Sequence, residues 1–138
     1  MKLKPRYFLV FSLIFFSISL SQRCYCIDND CGELMTGLII LLTGLFGLSV
    51  GGACLTWLAN PLLLVSWITY QKYPKISLAT SLLAMIVGLS FLTFKEIIIN
   101  EAGHFGQITG YALGYWFWIL SILLLVLGNI YLRIKERI

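Results

Sequence analysis

Long uncharged runs separated by short polar stretches organise the whole chain. Residues 7–20 form an uncharged, mostly apolar run of 14 residues, preceded by Lys2, Lys4 and Arg6. Residues 35–70 are 36 residues without a charge, residues 76–94 are 19 more, and residues 110–132 are a further 23. A helix rises about 1.5 Å per residue, so roughly 20 residues cross the hydrocarbon of a bilayer. Residues 76–94 and 110–132 are each predicted to span once. Residues 35–70 are too long for one span and short for two with a turn. Gly51-Gly52 weakens any helix there, and Asn60-Pro61 supplies a capping residue followed by one that fits a first helical turn. The pattern therefore predicts a span at 35–54 and a short helix at 61–71 that lies in the interface or re-enters.

The first run has the length of a signal-peptide core rather than a comfortable span. Ser19-Leu20-Ser21 places small residues where a signal peptidase reads, so residues 1–21 are expected to be a signal peptide cleaved before Gln22 or, if kept, an anchor helix. Residues 22–34 follow as a polar segment with Cys24, Cys26 and Cys31. Residues 95–109 form a mixed loop, in which 97–99 and 107–109 can pair as a small hairpin around 101–106. The fold class expected is all-α: a small polytopic membrane helix bundle with one short interfacial or re-entrant helix.

Composition agrees with the pattern. Of 138 residues 59% are hydrophobic and 12% charged, with a mean hydropathy of +0.92. Soluble domains have about 45–50% apolar and about 25% charged residues, so a water-soluble fold is excluded and the bilayer is the first partner. The net charge of +4 does not point to nucleic acid, because the cations sit at the chain ends and in one loop rather than in a patch beside stacking aromatics. They report orientation instead. If 35–70 crosses once, eight basic residues (Lys2, Lys4, Arg6, Lys72, Lys75, Arg133, Lys135, Arg137) share the cytoplasmic side and two, Arg23 and Lys95, lie outside. If it crosses twice, the split is four inside and six outside. The positive-inside rule selects the single crossing, with the C-terminus cytoplasmic.

Helices in lipid associate through close backbone approach. Gly37, Gly44 and Gly51 recur every seven residues, Gly47 pairs with Gly51, Thr80, Ala84 and Gly88 form a stripe, and Gly110 pairs with Gly114. These faces serve packing within the bundle, a homodimer, or another membrane-protein partner. Tyr111, Tyr115, Trp116 and Trp118 are expected as an interfacial belt, the alternative being a groove for lipid or quinone. A disulfide is expected among Cys24, Cys26 and Cys31 in an oxidising outer compartment. The pairs Cys26–Cys31 and Cys24–Cys31 both close an easier loop than Cys24–Cys26, and spacing does not choose between them. Cys54 reads as a small apolar residue at membrane depth.

Chemistry is sparse. His104 with Glu101 and Asn100 falls short of the three or four ligands a metal needs. There is no catalytic triad pattern, phosphate loop or HExxH. No charged residue lies inside the long runs, which argues against ion-coupled transport by a single chain. No cofactor is expected, and the role expected is accessory, structural or protective, in the manner of a toxin-immunity protein. The alternative is a thiol-redox or quinone-linked enzyme, motivated by the outer cysteines alone. Three stretches, TWLANPLLLVSW at 56–67, KEIIINEAG at 95–103 and ITGYALGYWFWILSILLLVLGN at 108–129, resemble a set of small bacterial inner-membrane proteins with no assigned function. That resemblance implies the bacterial inner membrane and no particular activity.

Overall fold

The computed structural model describes residues 4–138; Lys2, counted above among the cytoplasmic cations, lies outside them. Helix α1 covers Arg6–Ser21, strand β1 Tyr25–Ile27 and helix α2 Gly37–Gly47. A 3-10 segment, Gly52–Leu58, runs directly into α3, Ala59–Thr69. Helix α4, Pro74–Ser90, strands β2, Glu96–Ile98, and β3, Phe105–Tyr111, and helix α5, Leu113–Arg137, complete the chain. Gly52–Thr69, Pro74–Thr93 and Leu113–Arg137 are long and apolar enough to cross a membrane, while α1 and α2 are shorter apolar helices.

The expected assignment within 35–70 is reversed. The short helix comes first, at Gly37–Gly47, and the stretch of spanning length comes second. Gly51 and Gly52 take φ +80° and +59°, a conformation that costs other residues energy, and this ends the first helix early. Asn60-Pro61 does not start a new element. Pro61 lies in the first turn of α3, where a missing N–H is tolerated, so the 3-10 segment continues into the helix without interruption.

Side-chain pairings fix how the helices run. Ser12 meets Ser121, Phe8 meets Tyr131 and Phe15 meets Phe117, so α1 and α5 are antiparallel. Gly88 faces Ile119 while Ser81 accepts from Asn129, so α4 and α5 are antiparallel too. Ser66 pairs with Ser77 across the α3–α4 hairpin. One end of the bundle gathers the start of α1 and the end of α3, where the Tyr70 hydroxyl donates to the Pro5 carbonyl at 2.9 Å. The opposite end gathers the end of α1 with the starts of α2 and α5: the Gly37 N–H donates to Gln22 O at 2.9 Å and the Gly114 N–H to Arg23 O at 2.8 Å. The chain therefore passes from one end to the other four times, and residues 35–70 account for one of those passes.

The interior sets small polar side chains beside apolar ones such as Leu63, Ile122 and Leu125, while many large apolar side chains face outward. Ser12, Ser66, Ser77, Ser81, Ser121 and Asn129 are fully buried, while Leu42, Phe46, Ile68 and Ile86 are 66%, 79%, 72% and 65% exposed. That inversion is what a lipid surround favours, because a leucine gains nothing by leaving acyl chains whereas a hydroxyl needs a partner. The serines meet as two reciprocal clasps. Ser12 Oγ donates to Ser121 O and Ser121 Oγ to Ser12 O, both at 2.8 Å, and Ser66 and Ser77 do the same across α3 and α4. On α4 the buried face is Ser77, Ser81, Ala84 and Gly88. Thr80, expected in that stripe, lies off it and bonds its own helix at Ile76 O.

The fold is not purely helical: a three-stranded sheet in the order β1-β3-β2 caps the second end. The β2–β3 hairpin expected near 97–109 is present, with Glu96 opposite Gln107 and Ile98 opposite Phe105. Strand β1 joins the far edge of β3, with Tyr25 opposite Tyr111 and Cys26 opposite Gly110. Its turn uses Asp28 and Asn29 at φ 50° and 65°, the left-handed pair that a two-residue turn requires and that these residue types tolerate. Because β3 runs on to Tyr111, the last helix begins at Leu113 rather than at Gly110.

Candidate functional site

The end of α1, the sheet, α2, the 3-10 segment and the start of α5 enclose a half-open cavity of about 490 Å³. Two glycines let α2 roof it. A side chain at Gly44 would collide with the Trp57 ring, and one at Gly47 would come within 2.9 Å of the Cys54 Sγ. Trp57 holds the roof from below by donating its indole N–H to Leu41 O at 3.0 Å. The walls are mostly apolar and aromatic, among them Phe16, Met35, Phe91 and Trp118. Such a volume and lining are those of small-molecule sites, which are typically about 300–1,000 Å³.

The polar groups of this cavity divide into two kinds. Ser19, Thr43 and Thr56 donate to carbonyls of their own helices, at Phe16 O, Ile39 O and Ala53 O. Tyr115 donates to Gly88 O at 2.9 Å, and Trp118 donates to Asn60 Oδ1 at 3.0 Å. Since an indole N–H only donates, that last bond orients the Asn60 amide and turns its Nδ2 away. Asn60 Nδ2 and the Tyr25 hydroxyl have no partner among the described residues, and both residues line the cavity. Burial, then the nearby Cys54 and Cys24 thiols, holds the Tyr25 phenol above its ordinary range, so it remains an O–H donor.

The cysteines resolve as one bond and two separate thiols. Cys26 and Cys31 are joined, closing the β1 turn, while Cys24 and Cys54 are free. Burial pushes the Cys24 thiol up to about 12. A thiolate is the reactive form, so at pH 8 Cys24 should react with a maleimide about three orders of magnitude more slowly than an ordinary cysteine. Labelling of a Cys54→Ser variant in detergent measures this directly, and rapid stoichiometric modification would show the thiol to be unshielded.

Of the predicted packing glycines, Gly37 abuts Ser19 O and Leu20, Gly44 and Gly47 meet the 3-10 segment, Gly88 meets Ile119, and Gly114 meets the backbone of residues 22–23. All five serve contacts within the chain. Two do not fit the expectation. Gly51 has nothing near it and serves the turn, and Gly110 lies in β3, so Gly110 and Gly114 form no helical pair. The pattern missed Gly106, pressed on Ile27, and Gly128, pressed on Phe8 and Tyr70. Gly128 has no glycine at helical spacing to mark it, and Gly106, four residues before Gly110, falls in the polar loop rather than in an apolar run.

The aromatic belt is also revised. Trp116 is 47% exposed, but Tyr115 is 2% exposed and stacks within a cluster of Tyr25, Phe91 and Tyr111. His104 pairs with Asn100 in the exposed β2–β3 turn. Among the described residues no three metal-ligating side chains converge.

No protein-family model matches this chain, and no curated protein or solved structure matches it. Its cavity and sheet must be interpreted on their own chemistry.

Proposed function

We propose that the chain is a non-enzymatic accessory or protective protein of the bacterial inner membrane, of the kind that acts on a membrane partner or blocks a toxin within the bilayer. The observation that carries this reading is the division of the molecule's two ends. Lys4, Arg6, Lys72, Lys75, Arg133, Lys135 and Arg137 belong to one end, and the disulfide-tied sheet, with Arg23 and Lys95, to the other. By the positive-inside rule the first end is cytoplasmic, and the sheet is displayed as a fixed surface outside. Between them the bundle interior holds hydroxyl and amide pairs rather than charges, which suits a scaffold better than a proton or ion path. The shielded Cys24 thiol weighs against the thiol-redox alternative.

On this reading α1 is retained as the first crossing. Its Ser12 clasps Ser121 and accepts the Trp67 indole N–H at 2.9 Å, contacts that cleavage before Gln22 would remove. Reporters fused after residues 73, 103 and 138 should show inside, outside and inside, and intact mass of the purified protein should include residues 4–21. An external C-terminus, or a mature chain beginning at Gln22, would overturn the layout. The accessory role is tested by crosslinking in cells through residues of the β2–β3 turn. Recovery of a defined membrane partner or toxin supports it, and recovery of this chain alone counts against it.

A further inference from the structure

We propose that the cavity beneath α2 is a binding site for an apolar, membrane-dissolved molecule that carries a carbonyl acceptor. The inference goes beyond the accessory role and stands apart from it. It starts from hydrogen-bond accounting. The hydroxyls of Ser19, Thr43 and Thr56 and the N–H or O–H donors of Trp57, Trp118 and Tyr115 are all occupied within the protein. Among the phenols, indoles, hydroxyls and amides of these walls, Asn100 pairs with His104, whereas the Tyr25 hydroxyl and Asn60 Nδ2 have no hydrogen-bond partner among the described residues. They come from different elements, β1 and the start of α3, so no local turn or cap explains them. Both donors are open to the cavity rather than sealed in the protein, so a ligand acceptor can reach them.

The same account defines the ligand. Asn60 Nδ2 and the Tyr25 O–H both donate, so the complementary group accepts and need not donate. The acceptor is neutral, because no Lys or Arg lines the cavity to offset an anion. Most of the remaining walls are aliphatic and aromatic, which suits a flat ring or a hydrocarbon tail, and the Glu101 carboxylate, which also lines the cavity, disfavours an anion further. Quinone carbonyls and the ester carbonyls of glycerolipids share this chemistry, and both kinds of molecule reside in bilayers.

The test uses the purified full chain in detergent. Trp57 and Trp118 line the cavity, so their fluorescence reports occupancy. A short-chain ubiquinone analogue and a dioctanoyl phospholipid are titrated separately, with hexadecane as a competitor that lacks an acceptor. Saturable binding of one probe identifies the source, and mutual competition identifies the shared carbonyl. Tyr25→Phe removes a hydroxyl that has no hydrogen-bond partner among the described residues, so stability should hold while affinity falls about three- to tenfold. Asn60→Leu should weaken binding at least as much. It also deprives Trp118 of its acceptor, so Tyr25→Phe remains the cleaner variant if Asn60→Leu folds poorly. Ala53→Phe, which fills the cavity, should abolish the signal. The proposal is overturned if neither probe saturates, if Tyr25→Phe binds as tightly as the wild type, or if hexadecane competes equally well.

Discussion

Gly114→Leu is expected to prevent accumulation of folded protein, and Gly114→Ala to destabilise it measurably. Gly114 sits in the first turn of α5, where its N–H donates to Arg23 O at 2.8 Å. A methyl group there would come within 2.7 Å of that same carbonyl oxygen and within 2.8 Å of Gln22 O and Cys24 Sγ. Two of the three atoms are backbone and cannot rotate away. Overpacking of a close contact costs about 1–3 kcal/mol and occasionally more, so we expect about 2 kcal/mol for alanine and about 3 kcal/mol or beyond for leucine. The damage should extend past the helix, because this contact joins α5 to the segment that carries β1 and the disulfide. Thermal unfolding in detergent, followed by tryptophan fluorescence, measures it. The appropriate control is Leu127→Ala, since Leu127 is 45% exposed and faces the surround. Leu125 is fully buried and is no neutral comparator. Equal melting temperatures for Gly114→Ala and Leu127→Ala would refute the close-approach account.

Ser12→Leu should be the second severe change. Ser12 is fully buried between three helices. Its hydroxyl donates to Ser121 O at 2.8 Å and accepts the Trp67 indole N–H at 2.9 Å. Alanine would strand the indole donor and one carbonyl, and interhelical hydrogen bonds in membranes average about 0.6 kcal/mol, with a maximum of about 1.7. We therefore expect about 1 kcal/mol for Ser12→Ala. Leucine adds bulk where α1 and α5 touch, so about 3 kcal/mol follows from overpacking. Ser17→Leu is the internal control: Ser17 is exposed and bonds only Leu13 O on its own helix. If Ser12→Leu and Ser17→Leu unfold at the same temperature, α1 is not an integral part of the bundle, and the case for its retention fails with it.

These two predictions also show where pattern and structure part. The positions of Gly37, Gly44, Gly47, Gly88 and Gly114 were visible as small residues in apolar runs, and each does admit a close neighbour. Their partners were not visible, because spacing identifies a helix face and not what lies against it. Gly110 shows the limit: a Gly-x3-Gly spacing looks helical in an apolar run, yet pairing with Cys26 draws Gly110 into a strand. The clasping serines were overlooked for a related reason. A serine in an apolar run is equally compatible with bonding its own helix, as Ser17 does, and with bridging two, as Ser12 does.

Charge and hydropathy along the chain marked out runs apolar enough for a bilayer, the cations that flank them, and the hairpin at 97–109, since each depends on local composition. Tertiary structure alone decided which part of residues 35–70 has spanning length, that β1 extends the sheet, that Cys26 bonds Cys31, and that Tyr25 and Asn60 share one cavity. Those outcomes rest on contacts between residues far apart in the chain. Their energies depend on which surfaces meet, and a linear pattern does not carry that information.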